Sequence, residues 1–242
     1  MDTELLAQKL VAWLKEQALA AGCRGFVLGM SGGIDSSVLA VLCCRAFPQN
    51  TLGVIMPCHS LAEDKAHAQE VASRFAVPTT EVVLDGVYDA LLQILPDDKA
   101  DSAPGRLARV NLKARLRMAT LYYIANQLKY LVAGSSNRSE ISTGYFTKYG
   151  DNGVDIMPLG NLVKGQVREL ARSLGIPQAI IDKPPSAGLW PGQTDEGEMG
   201  CTYEALDGYL LTGKAPDELK KRLEAMIAAS HHKRQMPPIA EL

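Results

Sequence analysis

The heptapeptide Ser31-Gly32-Gly33-Ile34-Asp35-Ser36-Ser37 narrows the folds open to this chain more than any other feature, because of where it falls. It follows a short apolar run, Gly25–Met30, and leads into the helical composition of Asp35–Ala46. Such a run reads as a buried strand, so the loop joins a strand to a helix. The alternation continues, with strand signals at Thr51–Met56, Thr80–Leu84 and Tyr130–Ala133. Helical spacing occupies Glu63–Phe75, Tyr88–Leu95 and Leu107–Gln127. An amphipathic helix over Glu4–Ala20, with Leu6, Leu10, Trp13 and Leu14 on one arc, comes first. Strands alternating with helices require right-handed crossovers and a parallel sheet covered on both faces. The expected class is therefore α/β, a doubly wound parallel sheet with helices on both faces. Beyond Gly134 the pattern loosens. Pro96–Gly105 is polar and reads as a loop, as does Lys183–Gly200, whose three prolines and four glycines break any period. A loop of that length in a compact domain is usually functional or disordered. Helices over Tyr203–Leu211 and Pro216–Ala229 precede a basic tail, His231-His232-Lys233-Arg234.

Composition excludes several classes. The 242 residues, at about 150 per domain, suit a single domain spanning 1–242. Twenty-five basic against twenty-seven acidic side chains give a net charge of −2, without the electrostatic footprint of a nucleic-acid or anionic-membrane binder. No apolar run approaches a membrane span. The opening residues, with Asp2 and Glu4, lack the pattern of a signal peptide. Five cysteines without CxxC spacing argue against a disulfide framework or zinc site and fit a reducing cytoplasm. The four histidines show no metal-ligand spacing, and Cys43 and Cys44 read as core fillers rather than nucleophiles.

The heptapeptide is built for an anion. Open parallel sheets bind ligands beyond the carboxyl ends of their strands. Two glycines let backbone N–H groups approach closely, and a helix N-terminus favours negative charge. The loop is neither GxxxxGK[ST] nor GxGxxG, which disfavours a Walker A site and a hydride-transfer site. A Gly-Gly turn with serine capping explains the same residues without a ligand. Asp35 tilts the balance, because a carboxylate beside a phosphate repels it unless a cation such as Mg²⁺ lies between. A second loop, Gly134-Ser135-Ser136-Asn137-Arg138-Ser139-Glu140, follows the Tyr130–Ala133 strand. If strand order reverses between this strand and the first, both loops face one crevice and Glu140 becomes a second Mg²⁺ ligand. Equally, Asn137-x-x-Glu140 has the spacing of a capping box, which needs no ligand.

Taken together these residues resemble the ammonia-dependent NAD synthetases, within the SGGxDS (PP-loop) ATP pyrophosphatases, an adenine nucleotide alpha hydrolase-like and Rossmann-like group. The similarity extends through Tyr145-Phe146-Thr147-Lys148-Tyr149-Gly150-Asp151, the stretch from Asn161, the Lys183–Asp195 segment and the basic tail. It implies two steps: ATP adenylates the nicotinate carboxylate of deamido-NAD, then ammonia displaces AMP. Carried over by motif, Gly29, Met30, Ser31, Gly32, Gly33, Ile34, Asp35, Ser36 and Ser135 bind ATP. Asp35 and Glu140 hold Mg²⁺, and Lys164 and Ser186 contact phosphates. Arg115, Lys148, Asp155, His232 and Lys233 contact deamido-NAD, and Asp151 receives the proton from ammonium. Asp35, Lys164 and Asp151 are the catalytic set this implies. Two positions depart from the family pattern: Ser135 stands where threonine is common, and Gly188 replaces an aspartate. The resemblance also implies a homodimer; 242 residues leave no room for a glutaminase domain as well, so free ammonia, or ammonia from a separate partner, is the expected nitrogen source.

Spacing bears on some of these roles independently. Arg115 falls on the apolar arc of Ala108, Leu112, Leu116 and Ala119, where it needs either an anionic ligand or an internal salt bridge. Arg109, Lys113 and Arg117 form a separate stripe, read as a solvated basic face. Asp151 and Asp155 lie among glycines, as ordinary turn formers do. Trp190 either closes over substrate or anchors packing. The first helix must face a partner subunit or the chain's own sheet. Two other functions remain open. One is another PP-loop enzyme, GMP-synthetase-like or tRNA-modifying; the other is a nucleotide sensor without turnover.

Overall fold

A computed structural model describes residues 2–96, 102–186 and 194–240. The readings attached to Gly188 and Trp190 lie outside those residues. Four strands, β1 (Phe26–Gly29), β2 (Thr51–Ile55), β3 (Thr79–Glu81) and β4 (Leu131–Val132), form one sheet in the order β3-β2-β1-β4. All pairings are parallel. An isolated parallel bridge joins Ala133 to Ile156 beyond β4. The chain runs outward from β1 through β2 to β3, then returns to pair β4 on the other side of β1. The reversal that the crevice requires therefore lies between β1 and β4.

Side-chain alternation in β1 explains both layers. Phe26 and Leu28 enter one core with Leu14 of α1 (Thr3–Ala20), Leu39 and Leu42 of α2 (Ile34–Ala46), and Val71 of α3 (Ala62–Arg74). Val27 enters the opposite core with Tyr88 of α4 (Asp85–Ile94) and Leu121 and Ala125 of α5 (Ala103–Leu128). Successive strand residues point to opposite faces, so one strand nucleates both layers. The expected doubly wound fold is the one observed. The stripe of α1 is buried by its own chain, against α2 and α7 (Lys164–Leu174).

Three boundaries differ from sequence expectation for physical reasons. The Pro96–Gly105 loop reading fails at its end: α5 begins at Ala103, because Ser102 Oγ accepts from the Gly105 N–H at 3.1 Å and proline stands in the first turn. Within the expected Lys183–Gly200 loop, α9 (Asp195–Met199) forms behind Thr194, whose side chain accepts from Gly197. Between Gly134 and Tyr203 the chain also folds α6 (Arg138–Thr143), α7 and α8 (Gln178–Asp182). The signal for α7 was present: Val167, Leu170, Ala171 and Leu174 keep one helical face and are buried. Two further helices, α10 (Tyr203–Thr212) and α11 (Asp217–Ala229), enclose a third small core of Met199, Tyr203, Leu206 and Leu223. The basic tail forms a 3₁₀ turn, His231–Lys233.

Candidate active site

A cavity of about 860 Å³ opens beyond the carboxyl ends of β1 and β4. Gly29, Met30, Ser31, Gly33, Ile34, Asp35 and Ser36 line it from one loop, and Ser135 and Glu140 from the other. Ser31 Oγ lies 3.0 Å from Ser36 Oγ and accepts from the Gly33 N–H at 3.3 Å, which tightens the first loop. No side chain caps the N-terminus of α2, and Gly33 stands at its N-cap. Gly32 is outside the cavity lining; it adopts φ +77° and an added Cβ would sit 2.1 Å from the backbone oxygen of Asp64. Glycine is required there both by conformation and by that close approach.

The two acids expected to share a cation do converge. The ammonium of Lys164 donates to Asp35 Oδ2 and to Glu140 Oε1, the latter at 3.3 Å. Lys164 is buried, and its ammonium also lies 5.1 Å from the centre of the Tyr203 ring. Burial pushes the Glu140 carboxyl up from its ordinary range against the pull of Lys164. The carboxylates of Asp35 and Glu140 hold Lys164 above its ordinary value despite the opposing cost of burial. Asn137 is fully buried. It closes the capping box with Glu140, and its amide also donates to Asp35 Oδ1 at 3.0 Å. The capping box is therefore present, and the same asparagine ties Glu140 to Asp35. Two hard carboxylates directed at one cation position fit Mg²⁺, which takes one or two carboxylates with phosphate oxygens and water. Among the described residues no cluster of three or more His, Cys, Asp or Glu side chains is arranged to hold a metal.

The remaining candidates divide clearly. Arg115, Lys148, Asp151, Ser186, His232 and Lys233 all line the same cavity. Asp155 does not: Val132 N–H donates to its Oδ2 at 2.8 Å and Tyr122 OH to its Oδ1 at 2.9 Å. Asp151 is exposed at the cavity and accepts from the Thr147 N–H at 2.8 Å; desolvation by the surrounding walls raises its carboxyl above the ordinary range. The tail docks on the segment after α6: Lys148 Nζ donates to His232 O at 2.7 Å, and Lys233 Nζ donates to Gly144 O and Phe146 O at 2.8 Å. Arg234 anchors it by donating to Ile141 O, Ser142 O and Ile227 O.

The basic stripe is a correction. Arg117 is not on a solvated face: its Nε donates to Met56 O and its Nη2 to Ser60 Oγ, both at 3.1 Å. Burial depresses its pKa, so it is the enclosed arginine of α5. Lys113 rests 5.2 Å from the Tyr88 ring centre. Arg115 is instead exposed at the cavity, donating to Lys148 O at 3.3 Å with no carboxylate partner among the described residues. Residues not foreseen from sequence include Asp207 and Ser139. Ser139 Oγ donates to Asp207 Oδ1 at 2.5 Å and accepts from the Lys164 N–H at 3.1 Å, while the Gly165 N–H donates to Asp207 Oδ2 at 2.7 Å. They fix the start of α7, and hence Lys164. Only contacts across α6, α7 and α10 identify them, so no local signal was available. Cys43 is buried and burial pushes its thiol up, as a core filler requires.

Comparison with known proteins agrees with this geometry. The NAD synthase family model matches residues 6–237. An NH(3)-dependent NAD(+) synthetase of Carboxydothermus hydrogenoformans is 50% identical over 242 residues, covering 100% of this chain and 99% of the relative. A solved NMN synthetase from Francisella tularensis superposes with a TM-score of 0.93 at 37% identity, covering 100% of both chains. An NH3-dependent NAD synthetase from Campylobacter jejuni gives 0.82 at 28% identity, again covering 100% of both. With the anion loop, the convergent acids and these matches over nearly its whole length, the chain belongs to the NAD synthase family.

Proposed function

We propose that this chain is an ATP-dependent ligase that amidates deamido-NAD with ammonia, giving NAD, AMP and pyrophosphate. One observation carries the reading. Asp35 and Glu140, from two different strand-to-helix turns, direct their carboxylates at one cation position beside an anion cradle. A carboxylate resists amidation because its departing oxide is a strong base. Adenylation forms a bond from that oxygen to the α-phosphorus and breaks the bond to pyrophosphate. Ammonia then bonds to the carbonyl carbon and AMP leaves with the oxygen. Holding two reactants in one crevice can lower a barrier by up to about 7–11 kcal/mol when their reacting atoms are aligned.

In this reading Gly29 to Ser36 and Ser135 hold ATP, with Lys164 and Ser186 on its phosphates. Asp35 and Glu140 hold Mg²⁺, which would neutralise charge between two polyanions. Arg115, Lys148, His232 and Lys233, all facing the cavity, hold the dinucleotide. Asp155, turned towards Tyr122, would join them only after its side chain is freed. Asp151, with its raised affinity for protons, takes one from ammonium. We further propose a homodimer. The packed helices α4 and α5 carry the exposed apolar side chains Val87, Ile94, Leu107 and Tyr123 that a partner copy would cover. A cytoplasmic location fits the nucleotide substrates and the five free cysteines. No described helix is long and apolar enough to cross a membrane.

The test is incubation with ATP, Mg²⁺, deamido-NAD and ammonium. NAD with stoichiometric AMP supports the reading, and ADP or no product overturns it. Glutamine in place of ammonium identifies the nitrogen donor. A second reading rests on the structural likeness to the Francisella NMN synthetase, namely amidation of nicotinate mononucleotide. The same assay with that substrate decides it by the ratio of kcat/KM values.

A further inference from the structure

The ammonium of Lys164 occupies the point to which both acidic side chains are directed. We propose that Lys164 is the resident counter-cation of the Asp35–Glu140 pair, so that the pair takes a divalent metal only together with a polyphosphate that draws the ammonium away. This rests on the metal role given above to the two carboxylates.

The acids are not free to separate. Asp35 Oδ1 is held by the Asn137 amide at 3.0 Å, and Glu140 Oε2 by the Asn137 backbone N–H at 3.2 Å. Each is left with one oxygen facing the shared point. The Lys164 side chain is 2% exposed and walled by Tyr203, whose hydroxyl also donates to Glu140 Oε1 at 3.5 Å. A dication arriving at the same oxygens would meet a buried positive charge within a few ångströms, where repulsion is weakly screened. Free metal therefore has either to face that charge or to expel it with nothing to receive it.

A polyphosphate supplies the receiver. Lys164 lines the cavity together with Ser31, Gly33 and Ser135. Its backbone is pinned through Ser139 and its neighbour Gly165 through Asp207, but its stem has four rotatable carbons. Lys164 is also the first residue of α7, where the helix dipole disfavours a cation. The Asp35 and Glu140 carboxylates, with the Tyr203 ring behind them, hold the ammonium there, and an anion in the crevice competes for it directly. Metal and nucleotide then bind with positive coupling, each raising the affinity for the other.

The experiment is a Mn²⁺ titration of the full chain, read by the electron paramagnetic resonance signal of unbound Mn²⁺, without nucleotide. The expected result is that wild type binds Mn²⁺ at least tenfold more weakly than Lys164→Met or Lys164→Gln. The new affinity of Lys164→Met should disappear on adding Asp35→Asn. Wild type binding Mn²⁺ as tightly as Lys164→Met, with both lost in Asp35→Asn, overturns the exchange while leaving the metal site intact. Tight binding in Lys164→Met that ignores Asp35→Asn overturns the metal site, and the exchange with it. Should the lysine variants fail to fold, wild type alone decides. Mg²⁺ without nucleotide should leave Tm unchanged, whereas Mg²⁺ added over ATP should raise it. An equal rise in both cases refutes the inference.

Discussion

The side-chain amide of Asn137 reaches Asp35 at 3.0 Å across 102 residues of sequence, while its own Oδ1 accepts the Glu140 N–H at 3.1 Å. One buried residue thus orients both acids of the site and caps α6. The two duties can be separated by mutation. Asn137→Ser keeps a good capping hydroxyl but is too short to hold Asp35. It should retain Tm and raise the Mg²⁺ concentration for half-maximal rate by roughly ten- to hundredfold, for a lost bond to a charged group of ~1.5–3 kcal/mol. Asn137→Ala should lose a further ~0.5–2 kcal/mol of stability with the cap. An unchanged Mg²⁺ dependence in Asn137→Ser would show that Asp35 needs no such anchor.

The two arginines of α5 should separate by substrate. Arg117→Ala removes the side-chain donor to Met56 O just after β2, while Ser60 Oγ keeps the Cys58 N–H, costing about 1–3 kcal/mol and weakening ATP binding. Arg117→Lys should not rescue it, since a point ammonium cannot span both acceptors in the fork geometry. Arg115→Ala should leave Tm unchanged and raise KM for deamido-NAD more than for ATP. Equal effects on both KM values would remove Arg115 from the dinucleotide site.

Asp151 should set an acid limb in the amide-forming step. Desolvation raises its pKa, so the proton-accepting form is lost as pH falls through that raised value, earlier than for an ordinary aspartate. Asp151→Asn should slow amide formation by about a hundredfold or more, erase the limb, and spare pyrophosphate release. Single-turnover measurement of both products checks it; loss of pyrophosphate release would contradict the assigned role.

Gly32→Ala should be among the most damaging single-methyl additions in the chain. The left-handed backbone costs an alanine about 1–2 kcal/mol. The methyl also meets the Asp64 oxygen at 2.1 Å, so the loop must move. A fall in Tm and at least a tenfold loss of ATP affinity are expected. Gly86→Ala, within α4 and with nothing inside 4 Å, is the control and should be neutral or slightly stabilising. Similar Tm values for the two variants would refute the argument.

How much of this was legible beforehand follows from the range of each interaction. The Gly25–Met30 run, the SGGxDS loop and the helix behind it are local patterns, and they appear within a residue or two of where their periodicity put them. Asp35 and Glu140 were nameable because each sits in the first turn of the helix that follows a strand. The surroundings of Arg115 and Arg117 were not: helical spacing puts the two on nearly opposite sides of α5 but does not say what covers either side. Which of them is enclosed depends on where the loop after β2 passes over α5.

The order of residues settled that strands and helices alternate, that glycines and hydroxyls follow β1, and that the chain carries the family's motifs. Tertiary structure decided what those groups face. Reversal of direction at β1 and β4 brings the two acids together, α7 inserts Lys164 between them, and α11 returns the tail to the crevice. Hydrogen bonding and helical period are written over a few residues. Burial and charge pairing are fixed only when segments far apart in sequence pack against each other.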